Sequence, residues 1–315
     1  MTFRPAFVAL AAISSLGVAA TPALALSPRV FVSGKGANAA GCGTTAPCRT
    51  FQYALAMVSA GGEIVVMDSG DYGPVRITKS VSIVSDSGGV AGITQTGAGA
   101  AIDVAAGVAD KIVLRGLTVD GAGAAAYGLR VTSAASVDVT DCAFRNFRAD
   151  GIHVNATGGP LSFSLSKVDA SDNRASGMFV TGAYKITGRI ADSNFDRNGI
   201  NGFYALNYQA AAVAGLMTQV AISGGEAHGN AFGYRAESTV STSPVHLTLD
   251  DVTASKNSTA GVSSVGNILE TRIMKSVIAY NRVGARGVKL TSAKNNVFSG
   301  NTTDLAGALG AAPAF

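Results

Sequence analysis

Seven side chains that could touch a ligand recur at one position of a short pattern, the second residue after a glycine. They are Arg130, His153, Phe179, Tyr204, Arg235, Ser263 and Lys289. The set mixes cations, an imidazole and aromatic rings, which suits a polymer of sugars bearing carboxylates. Rings can lie on apolar sugar faces, while Arg and His bond hydroxyls and carboxylates. Glu237 stands beside Arg235 on the same strand face, and Asp150 precedes the His153 strand. Elimination at a uronic acid needs a cation to neutralise the carboxylate and a base for the neighbouring proton. Arg130, His153, Tyr204 and Arg235 would serve that scheme. Hydrolysis needs two carboxylates across the scissile bond, and Asp150 and Glu237, several repeats apart, serve it badly.

The elements that position these residues are strands of a repeat. Glycines 128, 151, 177, 202, 233, 261 and 287 are separated by 23, 26, 25, 31, 28 and 26 residues. An asparagine precedes the later ones, as in Asn146…Gly151, Asn173…Gly177, Asn198…Gly202, Asn230…Gly233, Asn257…Gly261 and Asn281…Gly287, and Asn301 ends the series. After each glycine the chain alternates, as in Leu129-Arg130-Val131 or Ile152-His153-Val154, with mostly apolar first and third positions. This is strand periodicity inside a solenoid period, which predicts stacked coils. Parallel stacking sends the apolar positions into a shared core and the middle positions into one outward column, about 4.8 Å apart. The asparagines then meet at a tight turn, where their amides bond from coil to coil and fix the register.

Coils of this length, with the Asn turn and the Gly-plus-strand step, resemble a right-handed parallel β-helix of the pectate-lyase-like superfamily over roughly residues 30–304. The opening segment FVSGKGANAAGCGTTAPCRT is similar to the N-terminal part of secreted bacterial β-helix proteins. The resemblance implies an all-β, single-solenoid fold and a polysaccharide groove on the corresponding sheet. The calcium-type Asp cluster with partner Arg of pectate lyases is absent from the sequence. So are the Asp-Asp plus Gly-His-Gly set of polygalacturonases and the esterase Asp pair.

Residues 1–25 read as a signal peptide. Arg4 opens it, an apolar run spans Phe7 to Ala20, and Ala23-Leu24-Ala25 offers a cleavage site. That run is short and broken for a membrane span. Export to the periplasm or the extracellular space is the expectation, and loss of Arg4 would lower the formal net charge from +4 to +3. Such a balance fits an acidic glycan slightly and argues little for nucleic acid. In an oxidising compartment Cys42 and Cys48, in CGTTAPC, would close a disulfide ring, leaving Cys142 as a packed small residue. No metal ligand set or cofactor fingerprint is read in the sequence, and the partner expected from the outward column and the resemblance is an acidic glycan.

Residues 26–62 should form an N-terminal cap, with a helix started by Thr50, faced by Phe51, Ala54, Leu55 and Val58, and ended by Gly61-Gly62. Such a helix would shield the open end of the solenoid. Residues 63–304 would form about nine coils, a rod of roughly 40 Å at the 4.8 Å repeat, and residues 305–315 a tail. Coils 202–232 and 233–260 are long, placing loops beside Tyr204 and Arg235. His228, His246 and the Asp250-Asp251 doublet fall at ordinary strand or turn positions. The function expected is an exported binder of acidic polysaccharide along the outward column, without strong catalysis. The alternative is a lyase working on uronic-acid glycans in the same groove.

Overall fold

A computed structural model describes residue 2 and residues 26–39, 41–86, 89–208, 216–239, 243–266 and 269–311. The expected signal peptide, apart from residue 2, lies outside the described residues, as do most of one long-coil loop and part of the other. Of the described residues about 58% are strand and 3% helix, all pairing among them is parallel, and their strands form two sheets of 20 and 10. This is a parallel β-helix.

Each coil contributes to three ladders. The first runs from Ser27–Val32 and Val58–Val66 to Leu290–Ser292 and Leu309–Ala311. The second runs from Gly70–Asp71 to Val297–Ser299. Two long strands, Ile186–Asn194 and Thr218–His228, pass through both. The third ladder is the ten-stranded sheet, Val75–Ile77, Ala100–Ala105, Tyr127–Ser133, Asp150–Ala156, Ser176–Gly182, Asn201–Asn207, Phe232–Ser238, Ala260–Gly266, Val283–Gly287 and Thr303–Ala306. Ten rungs on that face agree with the expected count of about nine coils.

Alternation after the marker glycines works as the residues dictate. Leu129, Ile152, Met178, Phe203, Tyr234 and Val262 are all buried, as are Val131, Val154, Val180, Ala205 and Ala236. Cys142 is a free, buried thiol, pushed up to about 11 by burial. Packing therefore explains its type.

The asparagine ladder begins later than the spacing suggested. Asn173 donates to Asn198 Oδ1 at 3.1 Å, Asn230 to Asn257 at 3.3 Å, Asn257 to Asn281 at 2.9 Å and Asn281 to Asn301 at 3.0 Å. Each amide oxygen also accepts the backbone N–H of the preceding rung, as Asn230 Oδ1 does from Asn198 at 2.7 Å. Asn146 is not a member. Phe147 occupies the ladder position, its N–H donating to Asn173 Oδ1 at 3.1 Å, while Asn146 takes a left-handed φ of 62° and bonds Asp120. The ladder also explains the glycines. A Cβ on Gly177 would stand 2.6 Å from Ala170 O and 2.9 Å from the Asn198 amide nitrogen.

At the N-terminal end the helix is Phe51–Met57, with Thr50 as its cap and Phe51, Ala54 and Leu55 buried. It stops short of Gly61-Gly62, because Val58 already belongs to the next strand. The glycines serve that strand instead: Gly61 has a φ of 77°, and a Cβ on Gly62 would stand 2.7 Å from Pro28 O. The helix occupies the third-ladder position of the first rung. Gln52 accepts the Arg76 N–H at 2.8 Å, covering an otherwise unpaired strand edge. Cys42 and Cys48 are joined in a disulfide, and both are buried. At the other end Thr303–Ala306 and Leu309–Ala311 continue the ladders as final strands rather than lying loose.

Candidate functional site

The outward column is assembled by backbone register. Arg130, His153, Phe179, Tyr204, Arg235 and Ser263 are successive Cα partners across the third ladder. Upstream, Arg76 and Asp103 continue the column. Downstream, the partner of Ser263 is Arg286, not Lys289. The last coil is short, its marker glycine is Gly284, and Lys289 sits exposed at a turn with a φ of 54°.

The residue before each marker glycine forms a second outward column. Tyr127 pairs with Asp150, Ser176 with Asn201, and Asn201 with Phe232. The two columns interleave as a stack of rings. Tyr127 to His153 is 4.5 Å between centroids, His153 to Phe179 5.2 Å, and Phe179 to Tyr204 5.2 Å. The Arg235 guanidinium lies 4.7 Å from the Tyr204 centroid and 4.8 Å from that of Phe232. Beyond Phe232, Arg286 lies at 5.0 Å. The rings are tilted by 39–51° to one another, so each covers much of its neighbour's face and leaves edges toward solvent.

Beside the stack runs an open groove of about 310 Å³, bordered by Asp150, His153, Ser176, Phe179, Asn201 and Tyr204 among others. Nearly buried Asp150 bonds His153 Nδ1 at 2.8 Å through one oxygen and accepts the Ser176 N–H at 3.0 Å through the other. Such a pair sets the tautomer when the imidazole is neutral, with Nε2 as the remaining ring nitrogen. Tyr204 donates to Glu237 at 2.8 Å, and Arg235 reaches the same carboxylate oxygen at 2.6 Å. Burial first, then the Glu237 bond, pushes the Tyr204 hydroxyl well above its usual range, so it remains a donor. On the groove wall, Asn201 Oδ1 has no partner among the described residues.

Two roles expected from the sequence change. Tyr204 has Phe179 on one side and Arg235 on the other, so its faces are not open to a sugar ring. Arg130 is held by Asp103 through two bonds, at 2.8 and 2.9 Å, and Arg235 by Glu237. Both cations are therefore neutralised within the face. His228 bonds Ser255 at the end of the second ladder, and His246 pairs with Glu270 on the first. Asp251 is a turn residue with a φ of 57°. All three lie off the groove.

Tyr127, Phe232 and Asn201 lie outside the column expected from the sequence because each stands immediately before its marker glycine. The position before it carried the signal. Asp103 and Arg76 belong to coils without the marker glycine; the alternation of Ala101-Ile102-Asp103-Val104 was the cue there. Among the described residues no cluster of three or more His, Cys, Asp or Glu could hold a metal ion. No helix there is long and apolar enough to cross a membrane, which says nothing of strands.

No family model matches the chain, and no curated protein does. Among solved structures it is similar to pectate lyase Pel9A, with a TM-score of 0.56 at 16% identity, covering 91% of this chain and 78% of that one. It is similar to ORF18 of Geobacillus virus E2, with a TM-score of 0.55 at 11% identity over 81% and 56% of the two chains. A mannuronan C-5 epimerase A-module of Azotobacter vinelandii follows at a TM-score of 0.45 and 14% identity, over 80% and 91%. At such identities the likeness is one of architecture, and the architecture shared is the parallel β-helix.

Proposed function

We propose that this is an exported protein that binds an acidic polysaccharide along the outward face of the ten-stranded sheet. One observation carries the reading: a continuous stack runs from Tyr127 to Arg235, and its members His153, Phe179, Tyr204 and Arg235 line an open, largely apolar groove. A solenoid needs no outward rings to hold its coils, since inward apolar columns and the asparagine ladder do that. Ring edges and the His153 imidazole offer a sugar chain polar contacts beside apolar carbon, over a floor formed by buried Ser176 and Asn201. The disulfide suits an oxidising compartment. The architecture shared with a pectate lyase supports a glycan partner by analogy of fold alone.

A lyase remains the second reading, favoured by the Asp150–His153 pair beside the groove. Its oriented imidazole is the side chain placed to take a proton next to a uronate carboxylate. The test is a glycan array with the secreted protein, run beside an absorbance assay for unsaturated uronate products. Retention of polyuronates without new absorbance supports binding, and absorbance lost in His153→Ala supports the lyase. No retention and no product would contradict both.

A further inference from the structure

The cations expected to hold carboxylates are consumed within the face, Arg130 by Asp103 and Arg235 by Glu237. If the partner is acidic, its charge must be met elsewhere, and the structure has such a place. The turn between the second and third ladders carries an open groove of about 510 Å³ that spans four coils, from Gly123 past Arg148 and Arg174 to Gly199. Arg148 and Arg174 hold equivalent turn positions on adjacent coils, shown by Arg148 N to Ala125 O at 2.8 Å and Arg174 N to Phe147 O at 2.9 Å.

Both side chains are exposed, and neither forms an ion pair with another described residue. Their neighbours behave differently: Arg145 pairs with Asp120 at 3.3 Å, and Arg197 with Asp172 at 2.8 Å through a two-bond contact. Two like charges one rung apart repel, and Asp172, the carboxylate that lines the same groove, is held by Arg197. The next rung is Gly199, where a Cβ would stand 2.1 Å from Arg174 O, so the groove cannot be closed there by a side chain. This rim adjoins the sugar groove. Arg148, Arg174 and Gly199 each lie two residues before a groove-lining residue, Asp150, Ser176 and Asn201.

We infer that the turn groove carrying Arg148 and Arg174 is the anion subsite of this face, taking successive carboxylates of a polyuronate laid along the rod axis. The inference rests on the glycan reading above and names the groups that would supply its preference for acid. Rungs are about 4.8 Å apart, so the two guanidiniums repeat on the scale of one sugar residue. Each can grip a carboxylate with two parallel bonds.

The test compares affinity for polygalacturonate oligomers and for their carboxyl-reduced, neutral counterparts, using wild type, Arg148→Gln/Arg174→Gln and Asn201→Ala. The wild type should prefer the acidic oligomer by on the order of tenfold or more, the scale of a charged hydrogen bond. The double variant should lose that preference while keeping its affinity for the neutral oligomer. Asn201→Ala should weaken both oligomers alike. Equal binding of both oligomers by the wild type, or an undiminished preference in the double variant, overturns the subsite and leaves the groove reading standing. Binding of neither oligomer overturns both. Equal affinity for a DNA oligomer of matched charge overturns the carboxylate assignment and marks a general polyanion patch.

Discussion

Two columns run the length of the same coils, a few residues apart, and they are built on opposite rules. The turn column repeats one residue, Asn173, Asn198, Asn230, Asn257, Asn281 and Asn301, each side-chain oxygen accepting the backbone N–H of the rung before it, and all but the terminal Asn301 buried. The strand column changes at every rung, from Asp103 and Arg130 through His153, Phe179 and Tyr204 to Arg235 and Ser263. Uniformity serves register, because each rung must present the same donor and acceptor to its neighbours. Variation at a position that packing does not dictate leaves room for recognition. Repetition marks the scaffold, and departure from it marks the candidate site.

The sharpest way to break this contrast is through the turn column. Asn198→Ala would orphan the Asn173 N–H and the Ala170 carbonyl together. Each unsatisfied buried group costs about 1–3 kcal/mol, so denaturant unfolding should show a loss of about 2–6 kcal/mol. Asn146→Gly, outside the ladder at a φ that glycine accepts freely, should change stability by under about 1 kcal/mol. Equal losses would mean that the ladder adds nothing beyond strand packing.

Next comes the strand column. Tyr204→Ala and Arg235→Ala should each weaken polyuronate binding by about 1–3 kcal/mol, as for central interface residues. Tyr204→Phe separates ring from hydroxyl. Because both ring faces are covered, the edge and its hydroxyl must make the contact, so the Phe variant should also lose affinity. Full affinity in Tyr204→Phe, measured by calorimetry at unchanged Tm, would contradict the edge geometry.

A smaller effect sits two residues before the ladder. Burial, with Glu226 and Asp169 nearby, pushes Asp196 up to about 6. Between about pH 4, where it titrates in the unfolded chain, and about pH 6 the folded state keeps a proton that the unfolded chain has lost. Stability from this group therefore falls as pH rises through that window. Asp196→Asn can still accept the His228 N–H and should raise stability above pH 6 by up to about 1–2 kcal/mol after solvent screening. The gain should vanish below about pH 4. A gain independent of pH would show that the carboxylate is not the cause. The smallest effect belongs to Lys289→Ala, which should leave binding unchanged in the same titration, since Arg286 holds the rung. A loss equal to that of Arg235→Ala would restore Lys289 to the column.

Much of the fold was legible because a solenoid writes its structure as a period. The strands Val75–Ile77 and Val81–Val84 show why, since alternating β-branched side chains between turn residues permit little else. The helix end was misread at Gly61-Gly62, whose constraint comes from Pro28 and the first strand, distant in sequence. The site was legible in part. His153, Phe179, Tyr204 and Arg235 fell in one column, but pairing among side chains was invisible. Spacing cannot show that Arg130 is claimed by Asp103, or that one ring covers the next. Lys289 was misplaced because a shortened final coil moves the marker to Gly284, and Lys289 mimics the motif after Gly287.

The most direct measurement is amide hydrogen exchange across the whole chain, with and without a saturating oligouronate. Protection should rise in Asp150–Ala156, Ser176–Gly182 and Asn201–Asn207, and in the turn holding Arg148 and Arg174, while Leu161–Ser166 and Val245–Asp250 on the first ladder stay unchanged. Protection confined to the first ladder, or none at ligand concentrations reaching the millimolar range, about the weak end of useful affinity, would contradict a glycan site on this face.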